Sequence, residues 1–177
     1  IDMKGNLIVC EHSNRRVTST DSTGIVKQLA SSYEGKRLNS PNDAVVKSDG
    51  WIYFTDPPFG LTNRTVGKEL PFNGVYRLSP DGNELSLIID DMVGPNGLAF
   101  SADESILYVA DSDERLIKKY YFDEDGSLKY GGVFSDMNVD DDGVPDGIKV
   151  DTEGHLFSTG PKGIWVFDHD AKLLGKI

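Results

Sequence analysis

The chain has 177 residues, with 29 acidic against 18 basic side chains and a formal net charge of −11. No basic cluster exists to follow a phosphate backbone, so the charge excludes nucleic acid as a natural partner and favours cations. No apolar run approaches the ~20 residues needed to span a bilayer, and the lone Cys10, in the apolar run LIVC, has no second thiol and reads as a small buried hydrophobe.

In chain order, residues 6–10 predict a strand that ends at Glu11-His12-Ser13-Asn14, and residues 16–20 predict its β-branched neighbour. After the turn Asp21-Ser22-Thr23-Gly24, residues 25–30 close a first sheet, and 31–38 form a polar connection. A second group follows the turn Pro41-Asn42-Asp43, with strands at 44–47, 51–55, 74–78 and 85–89. Residues 56–73 interrupt it as a long insertion carrying two consecutive prolines, a length that inside a compact domain often serves function. The third group follows the turn Pro95-Asn96-Gly97, with strands at 98–100, 106–110, 116–122 and 128–134, the last two joined by Asp123-Glu124-Asp125-Gly126. The fourth has strands at 147–150, 155–159, 164–167 and 172–177. No segment sustains a helical period, and Gly/Asp turns recur at intervals of about 8–12 residues, so the chain is all-β.

The groups are repeats of one unit. SPNDAVVKSDGWIYFTDPP, GPNGLAFSADESILYVADS and VPDGIKVDTEGHLFSTGP align on a Pro-Asn or Pro-Asp that opens the first strand. A period of about 50 residues with four strands per period is the signature of propeller blades. The predicted blades are 1–38, 39–92, 93–142 and 143–177. The first lacks most of its inner strand, which leads to the expectation that this segment is a piece of a larger ring. Aromatic residues at strand positions, among them Trp51, Phe54, Tyr76, Tyr108 and Trp165, fill the space between blade faces.

The repeat register puts Asn42, Asn96 and Asp146 at one equivalent position. Inner strands of a propeller surround its channel, so three oxygen-bearing side chains at their mouths would converge into a cation site. A hard dication such as Ca²⁺ takes six to eight oxygen ligands, amides alongside carboxylates. Two Asn and one Asp bring one negative charge, leaving such an ion electrophilic enough to polarise a carbonyl or phosphoryl oxygen. Asp146 is the only carboxylate of the three, and it could bind metal through one oxygen while the other activates water or attacks. Against this stands the capacity of Asn and Asp simply to make good turns after Pro. A rival site is the linear run Asn138-x-Asp140-x-Asp142-Gly143-x-x-Asp146, which resembles a calcium loop but has Lys149 where an EF-hand requires Glu. His12, Asp56, Asp111 and Thr159 are each expected to end a second strand. There His12 and Asp56 could rim the pocket and touch substrate, or a surface His and turn-capping Asp could do neither. No G-x-S-x-G elbow, cysteine pair or glycine-rich phosphate loop occurs, so serine hydrolase, zinc and nucleotide chemistries lack support.

The ordered set CEHSNRRV, SPND, FTDPPFGL, NGVYRLSPDG, GPNGLAFSADESILYVADS and PDGIKVDTEGHLF resembles the gluconolactonase/senescence-marker-protein family of calcium-dependent six-bladed propellers. The resemblance covers essentially the whole chain and implies a ring of roughly 270 to 300 residues at this blade size. It implies Asn96 and Asp146 as metal ligands, and Asn42 as a ligand or a substrate contact. The family's metal-binding Glu has no counterpart here, because Glu11 ends a second strand. The implied activity is Ca²⁺-dependent hydrolysis of sugar lactones or related cyclic esters. Phosphotriester hydrolysis at the same metal, or a calcium-rigidified propeller acting as a binding scaffold, are the alternatives. The implied partner is a small-molecule lactone; compartment and oligomeric state are left open.

Overall fold

The structure is a computed structural model that describes residues 1–124 and 126–177; Asp125, placed by sequence in a third-blade turn, lies outside the described residues. The chain divides into two compact units, Ile1–Met92 and Val93–Ile177. Each contains two blade-type antiparallel sheets.

In the first unit, β1 (Leu7–Glu11), β2 (Arg16–Thr20) and β3 (Val26–Ala30) form a three-stranded meander. The second sheet has four strands in sequence order, β6 (Ala44–Val46), β7 (Ile52–Asp56), β8 (Asn73–Leu78) and β9 (Leu85–Met92). The polar connection 31–38 contains a small hairpin, β4 (Ser32–Tyr33) with β5 (Lys36–Arg37), turned by Glu34 and Gly35 at positive φ. The insertion contains a short 3-10 turn at Thr62–Arg64, where the Arg64 guanidinium lies 4.7 Å over the Phe59 ring. Alternation along β2, β7 and β8 sends Val17, Ile52, Phe54, Tyr76 and Leu78 into one buried cluster with Leu38 and Leu70. Phe54 stacks on Tyr76 at 5.2 Å, and Tyr33 meets Tyr76 edge-on at 5.3 Å. Phe54 and Tyr76 thus fill the core as the sequence predicts, whereas Trp51 stays outside the cluster with the Arg77 guanidinium 4.1 Å over its ring.

The second unit repeats the pattern. One sheet is β10 (Pro95–Phe100), β11 (Ile106–Asp111), β12 (Leu116–Phe122) and β13 (Leu128–Asp136); the other is β14 (Ile148–Val150), β15 (Leu156–Gly160), β16 (Gly163–Phe167) and β17 (Leu173–Lys176). Tyr108, Ile117, Phe134, Met137, Ile148, Leu156, Trp165 and Phe167 form its core. Pro95-Asn96-Gly97, read from sequence as a turn, is instead the bulged start of β10: Pro95 pairs with Asp111, and regular pairing resumes at Leu98 with Val109.

One device holds the start of an inner strand in each unit. Asp56, the last residue of β7, is fully buried and accepts the backbone N–H of Asn39 (2.7 Å) and of Ser40 (2.8 Å). Asp111, the last residue of β11, is equally buried and accepts Val93 N (2.9 Å) and Gly94 N (2.9 Å), with Glu114 N at 3.1 Å. In both cases the two amides precede a proline, which has no N–H of its own to satisfy. A second recurrent device is an arginine at positive φ in a hairpin corner. Arg15 (φ 58) donates to Leu38 O at 2.6 Å and Gly67 O at 2.8 Å, and Arg115 (φ 57) donates to Val139 O and Asp141 O, both at 3.1 Å.

Removing the carboxylate clamp leaves buried amides without acceptors. Asp111→Ala is expected to cost about 3 kcal/mol, the upper range for unsatisfied buried donors. Urea unfolding of the pair checks this, and a loss below about 1 kcal/mol would contradict the clamp.

Candidate active site

The strand register confirms that Asn42, Asn96 and Asp146 are equivalent positions. Each stands two residues before the first regularly paired residue of its strand, Ala44 (with Phe54), Leu98 (with Val109) and Ile148 (with Ser158). Asn42 lies in the first unit; Asn96 and Asp146 lie together in the second.

In the second unit the two inner strands meet backbone to backbone. Gly97 N donates to Asp146 O at 2.8 Å. A Cβ on Gly97 would lie 2.1 Å from that same oxygen and 2.8 Å from Ile148 N, so only glycine permits the approach. Asp146 N donates to Thr159 Oγ1 at 3.0 Å. The backbone of Asp146 is therefore fixed on both sides, while its exposed carboxylate has no hydrogen-bond or ion-pair partner among the described residues. Asn96 is buried, and its Nδ2 donates to Ser112 Oγ at 2.9 Å. Ser112 Oγ in turn donates to Pro145 O at 2.6 Å. Sequence reading passed over Ser112, since a hydroxyl that bridges two separate strands leaves no local pattern.

In the first unit, Asn42 N donates to Thr55 O at 2.9 Å, which continues the inner strand one pair beyond β6. His12 is half-buried, and its ring nitrogens have no hydrogen-bond partner among the described residues. Its ring lies on Gly60: a Cβ there would sit 2.0 Å from His12 Cδ2 and 2.9 Å from Ser40 Cβ. The imidazole thus stands beside Ser40, two residues before Asn42. Ser40 is itself held by Ser40 Oγ donating to Pro57 O (2.5 Å) and accepting Gly60 N (2.9 Å).

Three expectations are corrected. His12 does not end its strand: β1 ends at Glu11, which pairs with Arg16 as Asp111 pairs with Leu116, so His12 occupies the register of Ser112. Likewise β15 ends at Gly160 rather than Thr159. Asp56 does not face a pocket either. Its two oxygens are spent on Asn39 and Ser40, so it shapes the approach to Asn42 from inside the blade and offers nothing to a substrate. Asp111 is capping in the same sense.

The rival loop is not formed as a site. Asn138 Nδ2 is committed to Asp136 Oδ1 and Glu114 O, each at 2.9 Å, and Asp141 pairs with Lys162 at 2.5 Å. Among the described residues, no three or more His, Cys, Asp or Glu side chains gather into a metal-holding cluster, as Asp140, Asp142 and Asp146 would have to. The donors at the repeat position are of a different kind, an anchored amide and an unpartnered carboxylate on neighbouring strands. Oxygen donors of mixed charge fit a hard cation. Cys10 adds nothing to them; burial, with Asp43 and Asp56 nearby, pushes its thiol up and keeps it protonated.

Burial pushes the Asp56 carboxyl up to about 7, against the opposing pull of the Asn39 and Ser40 amides and of Arg15 and Lys68. An unfolded Asp titrates near ~3.9. Between these values the folded chain holds a proton that the unfolded chain has released. Asp56's contribution to stability is therefore greatest at acid pH and falls as pH rises from about 4 to 7. The difference in unfolding free energy between wild type and Asp56→Asn is expected to decline across that window and level off above it. A difference that is flat with pH would remove the assignment. Separately, Gly97→Ala is expected to destabilise the second unit by about 1–3 kcal/mol, the range for overpacking, with Asp146 displaced; thermal melting and the Asp146 backbone amide signal report the two effects.

The whole chain, residues 1–177, matches the family model described as SMP-30/Gluconolactonase/LRE-like region. A gluconolactonase of Zymomonas mobilis is 39% identical over 185 residues, covering 98% of this chain and 51% of that protein. A solved gluconolactonase of Xanthomonas campestris is 44% identical with a TM-score of 0.89, covering 100% of this chain and 60% of that one. The calcium-binding protein regucalcin of Agrobacterium tumefaciens shares the fold at 19% identity, with a TM-score of 0.75 over 99% of this chain and 57% of its own. The chain therefore spans about half to three fifths of the length of these relatives.

Proposed function

The chain belongs to the SMP-30/gluconolactonase/LRE-like family and has its all-β propeller fold, and from that premise we propose that the protein hydrolyses sugar lactones. The observation that carries the proposal is Asp146, whose backbone is fixed by Gly97 and Thr159 while its exposed carboxylate has no partner among the described residues. A carboxylate bonded by nothing else is available both to a metal and to a water.

Asn96 and Asp146 are the residues we assign to hold a divalent metal, Ca²⁺ by the oxygen character of the donors. Bound there, such an ion would supply polarisation of the lactone carbonyl. The remaining work falls to the chain. Asp146 takes a proton from water on a carboxylate oxygen as the water oxygen bonds to the lactone carbonyl carbon; the acyl C–O bond of the ring then breaks, and Asp146 returns that proton to the ring oxygen, which leaves as a hydroxyl. His12, seated on Gly60 and without a hydrogen-bond partner for its ring among the described residues, is assigned to contact the substrate. Asn42 carries the same assignment from its register position, or serves the metal as Asn96 does. Specificity is assigned to the insertion that contains Phe59 and Gly60, because it sets the wall against which His12 rests.

A panel of aldonolactones assayed on the intact protein, with and without chelator, tests the proposal. Turnover that chelator abolishes and calcium restores is expected. Turnover that is undetectable, or unaffected by chelator, favours a propeller that only binds ligands. Asp146→Asn keeps an oxygen ligand and nearly the same shape while removing the base. It is expected to lose at least ~10²-fold in kcat, the lower end of a general-base contribution, even with calcium at saturation. If saturating calcium returns it to wild-type turnover, Asp146 is a ligand only, and His12→Ala becomes the next variant to assay.

A further inference from the structure

The hydroxyl of Ser112 joins two strands that each carry a candidate metal ligand. It lies immediately after the clamp residue Asp111, is buried, and has two partners, Asn96 Nδ2 at 2.9 Å and Pro145 O at 2.6 Å. Pro145 precedes Asp146, and Gly97, which follows Asn96, donates to Asp146 O. Ser112 thus closes a ring of contacts through Asn96, Gly97, Asp146 and Pro145.

The donor and acceptor roles in this ring are forced. A carbonyl oxygen can only accept, so the single proton of Ser112 goes to Pro145 O. Ser112 Oγ is then left with lone pairs alone and can only accept from Asn96. Asn96 must therefore present its NH₂ to Ser112, and because the carboxamide is planar its Oδ1 is turned to the other edge. The orientation of an Asn amide is ordinarily ambiguous between its two ends; here the chemistry of the neighbours removes the ambiguity.

We propose that Ser112 is a positioning residue for the metal site: it locks the Asn96 carboxamide with Oδ1 offered to the cation, and through Pro145 it couples that orientation to the placement of Asp146. This rests on the reading of Asn96 and Asp146 as ligands. Partners that orient a ligand from behind commonly contribute 10- to 100-fold in metal affinity. The loss would come without any contact between Ser112 and the metal or the substrate. A merely structural serine would affect melting alone.

The test uses the intact protein and calcium as the probe, with titration calorimetry and the side-chain NH₂ resonances of Asn96 as readouts. The latter are identified by their disappearance in Asn96→Asp. Ser112→Ala is expected to shift the Asn96 NH₂ signals in the calcium-free protein and to weaken calcium binding by about 10- to 100-fold. Ser112→Thr, which keeps the hydroxyl, is expected to restore both; circular dichroism confirms that each variant is folded. If Ser112→Ala is folded and binds calcium as tightly as wild type while Asn96→Ala does not bind, the positioning role is wrong and the ligand reading survives. If Asn96→Ala and Asp146→Ala both bind calcium as wild type does, the ligand reading itself fails and takes the proposal with it. If Ser112→Thr binds no better than Ser112→Ala, the hydroxyl is not the operative group and the proposal also fails.

Discussion

A buried carboxylate that accepts two successive backbone amides ahead of a proline is the constraint on which the mouths of two inner strands, those that open with Asn42 and Asn96, depend. Asp56 takes the amides of Asn39 and Ser40, and Asp111 takes those of Val93 and Gly94. Burying a carboxylate is costly unless its lone pairs are used; the amides use them, with Lys118 Nζ 3.8 Å from Asp111 and the charges of Arg15 and Lys68 acting on Asp56. The proline that follows asks for no acceptor, so the chain can turn into the inner strand with every donor of the corner satisfied. Asn42 and Asn96 then emerge at a fixed height, one residue beyond the proline in each case.

The fourth blade obtains the same corner by other means. Gly160 stands where Asp56 and Asp111 stand in their blades, so no carboxylate is available there. Thr159 Oγ1 accepts the amide of Asp146 instead, Ser112 holds Pro145 O, and Gly97 N holds Asp146 O. Three polar contacts from two blades replace one buried anion. Asp146 is the one residue of the equivalent set that carries a charge of its own. A corner carboxylate close behind it would repel that charge and raise the cost of ionising it. Neutral partners hold this corner, so no capping carboxylate accepts the amide of Asp146 from behind.

Much of this was legible in the sequence, and for a physical reason. Antiparallel strands announce themselves through alternation and turn residues that act over a few positions, so strand centres such as 16–20, 116–122 and 164–167 fall where the pattern puts them. The Pro-Asn and Pro-Asp repeats give the register of Asn42, Asn96 and Asp146 directly. What the pattern could not carry is which oxygen meets which amide. Asp56 and His12 look alike as residues near the end of a second strand, yet one is turned inward onto Asn39 and Ser40 and the other lies open on Gly60. Ser112 was invisible for the same reason. Its partners, Asn96 and Pro145, are distant in sequence and have no period in common with it. The hairpin in the 31–38 connection was missed because two-residue strands are too short to alternate.

Glycine supplies the complementary half of the design. At Gly97 the backbone of one inner strand approaches the next so closely that any Cβ would strike Asp146 O, and at Gly60 the missing side chain is the space that the His12 ring fills. Both positions exchange a side chain for a contact made by another residue. In the first case the contact aligns two strands whose leading residues are Asn96 and Asp146. In the second it sets an imidazole beside Ser40, two residues ahead of Asn42. His12 and Ser112 share a register, each lying one step past the end of a second strand. Each reaches the segment that opens the following blade, Ser112 at Pro145 and His12 at Ser40. The repeat therefore delivers more than equivalent candidate ligands. In the first and third sheets it also delivers a side chain, one step past the second strand, that reaches the segment opening the following sheet: the His12 imidazole beside Ser40 and the Ser112 hydroxyl at Pro145.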